Sequence, residues 1–388
     1  MNNTINNFIS NRAQKVIKVQ QRKTNTQMNL IKAFAIIAVV ASHTSGGGIV
    51  FPMANWINPF FYFMPIFVFV SGYFYRKETD EANCLKYLIQ KIKTLLVPYF
   101  IWNVIYGVLN VFFREIGVVN YGANIDFQSL FITPWTTGHQ FAYIIPAWFL
   151  LSLFIVSVAI FALRKILNKL HILNEEVLLA FCFAVSIVTI YFAEAGYNTG
   201  WYLCFAKAGF MLPYFQLGFV YKKYEKILNK RRGITLSVLF VLLYVFYVLS
   251  NGVAGVQVVF ANFSGNPFIV SMLVVLQILI VATMCDSLVP AFENNKIVQY
   301  IGDNTFSIMM HHGFVIFLIN FGLYILTFFM DLASFDIEKF KSTLWYCYPW
   351  RDARIYLIYV ILGVALPLII KNLTDKIVMK MYEKRKSE

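Results

Sequence analysis

Residues 28–48 read MNLIKAFAIIAVVASHTSGGG, and this stretch decides what kind of chain it belongs to. Between Leu30 and Ala41 every side chain but Lys32 is apolar. Such a run approaches the ~20 residues that a helix needs to cross a hydrocarbon core. Lys32 and His43 interrupt it, and an ionisable group inside a span is costly and a functional candidate by default. They stand eleven residues apart, about three helical turns, so they share one face roughly 16 Å apart along the axis. Lys32 lies one turn inside its end of the helix, where its stem can snorkel. His43 lies past the middle, between Ser42 and Thr44, and the run Gly46–Gly48 follows. The segment alone leaves two blander readings open: Lys32 as an interfacial anchor and His43 as a packing histidine bonded to a neighbouring helix.

The rest of the chain repeats the apolar theme. Of 388 residues 59% are hydrophobic and only 13% charged, about half the charge of an ordinary soluble domain. The 39 Phe and 23 Tyr suit a helical membrane protein with interfacial aromatics, and the long unbroken runs exclude a β-barrel. Ten candidate spans emerge, at about 28–46, 56–75, 94–113, 146–163, 177–193, 205–221, 234–250, 266–284, 304–329 and 355–370. The sixth is the weakest, because Lys207 and Pro213 interrupt it. Residues 251–265 read as a loop that dips back into the membrane. The expected fold is therefore all-α, a polytopic transmembrane bundle of about ten helices.

Basic residues set the orientation. With a cytoplasmic N-terminus, the inner segments carry 26 of the 33 Lys and Arg and the outer segments 5; Lys32 and Lys207 fall within spans. This asymmetry follows the positive-inside rule and puts both termini in the cytoplasm. The net charge of +14 is thus explained by topology, and a nucleic-acid role loses its support. Residues 1–27 form a polar tail without a signal-peptide core, 28–370 the membrane bundle and 371–388 a basic tail.

Other polar residues mark the spans. Ser71-Gly72-Tyr73 ends the second, where small residues also serve close helix packing. Lys91 and Lys93 precede Pro98-Tyr99, Trp148 opens the fourth span, and His139 and Arg351 lie in the two longer outer loops. The ninth begins IGDNTFSIMMHHGF; Asp303 or Asn304 can cap it. His311 and His312 point about 100° apart, so one is expected to pack and the other to function. The five cysteines are scattered and odd in number, which excludes a complete disulfide framework. No histidine–carboxylate spacing suggests a metal, and P-loop, GxSxG and GxGxxG patterns are absent.

Taken in order, these motifs resemble the membrane acyltransferase family called acyltransferase 3. Lys32-x10-His43 is similar to its basic-residue-and-histidine motif, Ile66–Phe74 to its SGY or SGF ending, Lys91–Phe100 to its basic loop with Pro-Tyr, Trp148–Leu150 to its WFL element, and Ile301–His312 to its late histidine motif. The match departs at Lys32, where many members carry Arg, at the lysines of the basic loop, which weaken bidentate phosphate contact, at Met309 in place of a tyrosine, and at the extra His311. The chain looks more like the stand-alone branch acting on polysaccharides or sugars, and a bacterial plasma membrane is implied.

The resemblance implies transfer of an acyl group, usually acetyl from acetyl-CoA, to a hydroxyl of a glycan or a lipid-linked sugar. Lys32, Lys91 and Lys93, with Ser71 and Tyr73, are the expected donor contacts, a basic rim drawing in an anionic acyl-CoA. A neutral His43 suits a general base near pH 7, and His312 an orienting or proton-handling role. Trp148, His139 and Arg351 are the expected acceptor contacts. No metal is expected; the surroundings are membrane lipid, and the oligomeric state stays open. A transporter or flippase for a glycan or small solute is the rival reading, though matched broken helices and intramembrane carboxylates are missing. A structural subunit of a glycan-assembly complex is a third.

Overall fold

The computed structural model describes residues 25–44, 58–348 and 353–387. The N-terminal tail up to residue 24, the run Gly46–Gly48 and Arg351 lie outside the described residues. Within them the chain is almost entirely helical, and nine helices are long and apolar enough to cross a membrane. They are α1 (Thr26–Thr44), α3 (Cys84–Glu115), α4 (Trp148–Lys169), α5 (Glu175–Glu194), α6 (Trp201–Lys230), α7 (Arg232–Leu249), α8 (Pro267–Phe292), α10 (Thr305–Leu326) and α12 (Ala353–Ser387). Between them lie the short α2 (Pro65–Tyr73), α9 (Lys296–Asp303) and α11 (Ile337–Ser342).

The second expected span is not a continuous helix. A single turn, Pro59–Tyr62, precedes α2, and Pro65 opens α2 itself. Proline lacks the N–H that would continue the ladder, so this arm reaches the interior as two pieces. The sixth span, the weakest on paper, is instead a 30-residue helix whose middle is buried from Phe210 to Tyr221. It packs against α2, α4 and α5, and those walls shelter Lys207 and Pro213 from lipid. Asparagine caps repeat at helix starts: the side chains of Asn83, Asn174, Asn266 and Asn295 accept from free N–H groups of α3, α5, α8 and α9. Asn304 does not cap α10 in this way; its amide donates back to the Tyr300 carbonyl at 2.8 Å.

Two contacts fix the frame. Gly72 of α2 and Gly218 of α6 bring the backbones together. A Cβ added at Gly72 would lie 1.8 Å from the Phe215 carbonyl oxygen, and one at Gly218 1.9 Å from that of Phe69. At one end of the bundle, Arg164 of α4 is fully buried and clamps three segments. It donates to both oxygens of Asp80 at 3.0 Å and to Glu175 at 2.6 and 3.1 Å, and it lies over the Phe219 ring. Asn25 at the start of α1 bonds Tyr73 at the end of α2, so α1 also begins at this end.

Residues 251–265 form a small hairpin, β1 (Gly255–Gln257) paired antiparallel with β2 (Asn262–Ser264). A left-handed Ala261 precedes β2, and Val256, Val258, Ala261 and Phe263 are buried. The expected inward-dipping loop is thus a hairpin set into the bundle, with its backbone groups paired as burial demands.

Candidate active site

A cavity of about 2280 Å³ runs through the bundle, and Lys32 and His43 both line it. The shared face read from their spacing is therefore a wall of one chamber. At the Arg164 end, its lining includes Lys32, Arg76, Lys77, Lys86, Lys91, Lys222 and Lys223, against Glu78 and Glu175. Glu175 is already engaged by Arg164. This end is strongly cationic. The opposite end is lined by His43, His139, Trp148, Trp345 and the hairpin.

His43 Nδ1 lies 2.9 Å from His312 Nε2. The Nδ1 of His312 lies 2.8 Å from the Ile308 carbonyl. A carbonyl only accepts, so His312 Nδ1 carries the proton. In the neutral pair His312 Nε2 is then an acceptor, and His43 Nδ1 must donate to it. The lone pair of His43 rests on Nε2, which no described residue bonds. The ring lies nearly parallel to that of its hydrogen-bond partner His312 (centroids 5.1 Å, 20°) and stacks on Trp345 (4.5 Å, 18°). Asn320 of α10 fixes the Trp345 segment by donating to the Tyr346 carbonyl at 2.6 Å. The arrangement leaves one nitrogen of a fixed imidazole available to accept a proton.

The neighbouring His311 takes another direction. Its Nδ1 meets Tyr106 Oη at 2.7 Å, and Trp102 stands edge-on to it. The two rings thus diverge, as the helical offset requires. Lys32 Nζ lies 3.9 Å from Asp303 Oδ1, which also accepts from Asn29 at 3.1 Å. Asp303 thus faces Lys32 rather than serving as a cap.

The remaining expected contacts divide. Lys91 lines the cavity and lies over the Tyr87 ring at 5.4 Å. Ser71 lines it too, with Oγ donating to the Phe67 carbonyl. Lys93 is exposed on a wide turn over Ile92–Leu96 and does not line it. Tyr73 is buried beside Tyr221 and does not line it. Trp148 and His139 line the opposite end, and Met309 lines the cavity where the resembled motif has tyrosine. Trp345, Arg76, Lys77, Lys86, Lys222 and Lys223 were not singled out by the sequence. The basic ones are visible only as members of inner loops, and nothing in the spacing brings Trp345 to His43. Among the described residues no group of His, Cys, Asp and Glu could hold a metal.

A family model described as an acyltransferase domain, that of the acyltransferase 3 family, matches residues 25–372. The chain belongs to the acyltransferase 3 family. It is a multi-pass membrane acyltransferase, and the family decides against solute transport between the two main readings left by the sequence. The matched region covers every helix that lines the cavity. No curated protein and no solved structure matches the chain.

Proposed function

We propose that the protein moves an acyl group, acetyl in the first instance, from cytoplasmic acyl-CoA to a hydroxyl of a cell-surface polysaccharide or glycolipid sugar. In this reading both termini face the cytoplasm of a bacterial cell, so the cationic end of the cavity opens to the donor. Lys32, Arg76, Lys77, Lys86, Lys91 and Lys222 draw in the phosphates of CoA, and the thioester arm extends toward His43. The acceptor hydroxyl comes from the other end.

Chemistry then follows from the tautomer. His43 Nε2 takes the hydroxyl proton while the oxygen attacks the thioester carbonyl. The C–S bond breaks as the new C–O ester forms, and the imidazolium returns its proton to the departing thiolate. His312 stabilises the imidazolium through the Nδ1–H bond and prevents the ring from turning, as the buried partner of a catalytic histidine does elsewhere. Acyl transfer is direct, with no acyl-enzyme stage.

The observation that carries this reading is one cavity joining a cationic mouth to an imidazole whose free nitrogen is the basic one. Replacing His43 by Ala tests it. With membrane insertion intact, acyl transfer from acyl-CoA to a glycan acceptor should fall by ~10²–10⁴-fold. Retained activity would remove His43 as the base.

A further inference from the structure

Behind the cavity wall beyond His43 lies a buried lysine that the proposed chemistry does not use. Lys207 of α6 is 4% exposed, and its ammonium lies 4.8 Å from the centre of the Trp148 ring. Among the described residues it meets no carboxylate and makes no hydrogen bond. The charged form of an amine withdrawn from water without an anion is costly, a ring face offsets only part of that, and an anion in the chamber would favour the ammonium.

The surroundings suggest what would repay the rest. Trp148 is itself part of the cavity wall. Next to it His139 and Phe260 line the same chamber and stack on each other, centroids 5.2 Å apart at 9°. His139 Nδ1 donates to the Thr137 carbonyl at 2.7 Å. Burial, and then the Lys207 charge, push the His139 pKa below the ordinary histidine value, against an opposite pull from that carbonyl. The ring is therefore neutral, and its Nε2 is an acceptor for a hydroxyl. Flat aromatic faces and one hydroxyl acceptor in a concave wall, with a buried lysine behind the Trp148 ring, suit a polar ring with a negative substituent. Through a low-dielectric wall the ammonium attracts an anion without touching it.

We propose that this chamber is the acceptor subsite, and that it selects an acidic sugar, one bearing a carboxylate or phosphate, with Lys207 as counter-charge and Trp148, His139 and Phe260 as the stacking surface. This rests on the acyl-acceptor reading above and narrows it to a substrate class.

Binding, which needs no turnover, tests it. The full chain in nanodiscs is titrated with trigalacturonate, a phosphorylated maltotriose and neutral maltotriose. At least one acidic probe should bind about tenfold or more tightly than maltotriose, a difference of roughly 1.4 kcal/mol, and the two acidic arms identify the preferred anion. Lys207→Met should abolish the preference while leaving maltotriose binding unchanged, and Lys207→Arg should keep it. Because the charge is buried, the preference should persist at high salt. Equal binding of all three probes, no binding of the acidic ones, or equal weakening of all three by Lys207→Met would overturn the assignment. Thioester cleavage of acyl-CoA, measured on the same preparations, tests the acyltransferase chemistry separately.

Discussion

The proton that His312 gives to the Ile308 carbonyl determines which nitrogen of His43 carries the lone pair. In the proposed chemistry His312 is accordingly a positioning residue. His312→Ala removes the acceptor for His43 Nδ1–H, and kcat should drop by ~10²-fold with little change in donor KM. His312→Gln, whose Oε1 can take the same bond, should recover part of that loss. A merely structural role would lower both variants' thermal stability in parallel with their rates. At this scale the sequence is a good guide where one helix supplies both residues. Lys32 and His43 share a wall as their spacing requires. The partners are another matter: His312, Trp345 and Asp303 lie hundreds of residues away, and no periodicity within a helix encodes an approach between helices. His312 was reached through the family motif, Trp345 not at all.

Among the elements, the SGY segment of α2 separates two jobs carried by adjacent residues. Ser71 faces the cavity, and Gly72 faces the backbone of α6. Adding even a methyl group at Gly72 forces the two helices apart, because the obstacle is a carbonyl of α6 and not a flexible side chain. Gly72→Ala should cost about 1–3 kcal/mol, the usual penalty of overpacking, and lower the melting temperature in detergent. Ser71→Ala should leave the melting temperature within a degree or two, since it loses only a local bond to Phe67 worth about 1 kcal/mol or less. The spans themselves were legible because lipid imposes length and apolarity on each helix independently. Length and apolarity do not reveal the break in the second span, which lies where Pro59 and Pro65 open separate helical pieces. The sixth was undervalued because Lys207 and Pro213 count against a helix facing lipid, whereas α6 is central and walled by other helices. The hairpin at 255–264 escaped for a similar reason: strands this short show no alternation, and their pairing is fixed by the walls around them.

Across the whole molecule, the Arg164 clamp and the cationic mouth form one construction. Asp80 lies in the turn Lys77–Glu81 that follows α2, and Arg164 holds it against α4 and α5. Lys165 donates to the Ala82 carbonyl at 2.7 Å and pins the end of the same turn. This turn carries Lys77, with Arg76 just before it and Lys86 just after, so a buried ion-pair network orients exposed cations around the opening. Of the seven lysines and arginines, Lys32 faces Asp303 and Lys223 pairs with Glu176, which leaves five against Glu78, with Glu175 held by Arg164. In the proposed function this excess makes a field that reaches an anionic donor before contact. Exposed charges are screened over about 8 Å at physiological ionic strength and about 3 Å at 1 M salt. The donor KM should therefore rise steeply with salt. Replacing Lys77 and Lys222 together by Ala should raise it by about tenfold at low salt, as expected for the loss of a little over 1 kcal/mol of attraction, and by much less at 1 M. The acceptor KM should hardly move, because these side chains stand at the other end of the cavity. Lys32→Ala should likewise act on the donor KM more than on the acceptor KM. A parallel rise in both, or a donor KM indifferent to salt, would mean that the basic rim reports membrane topology alone and takes no part in binding.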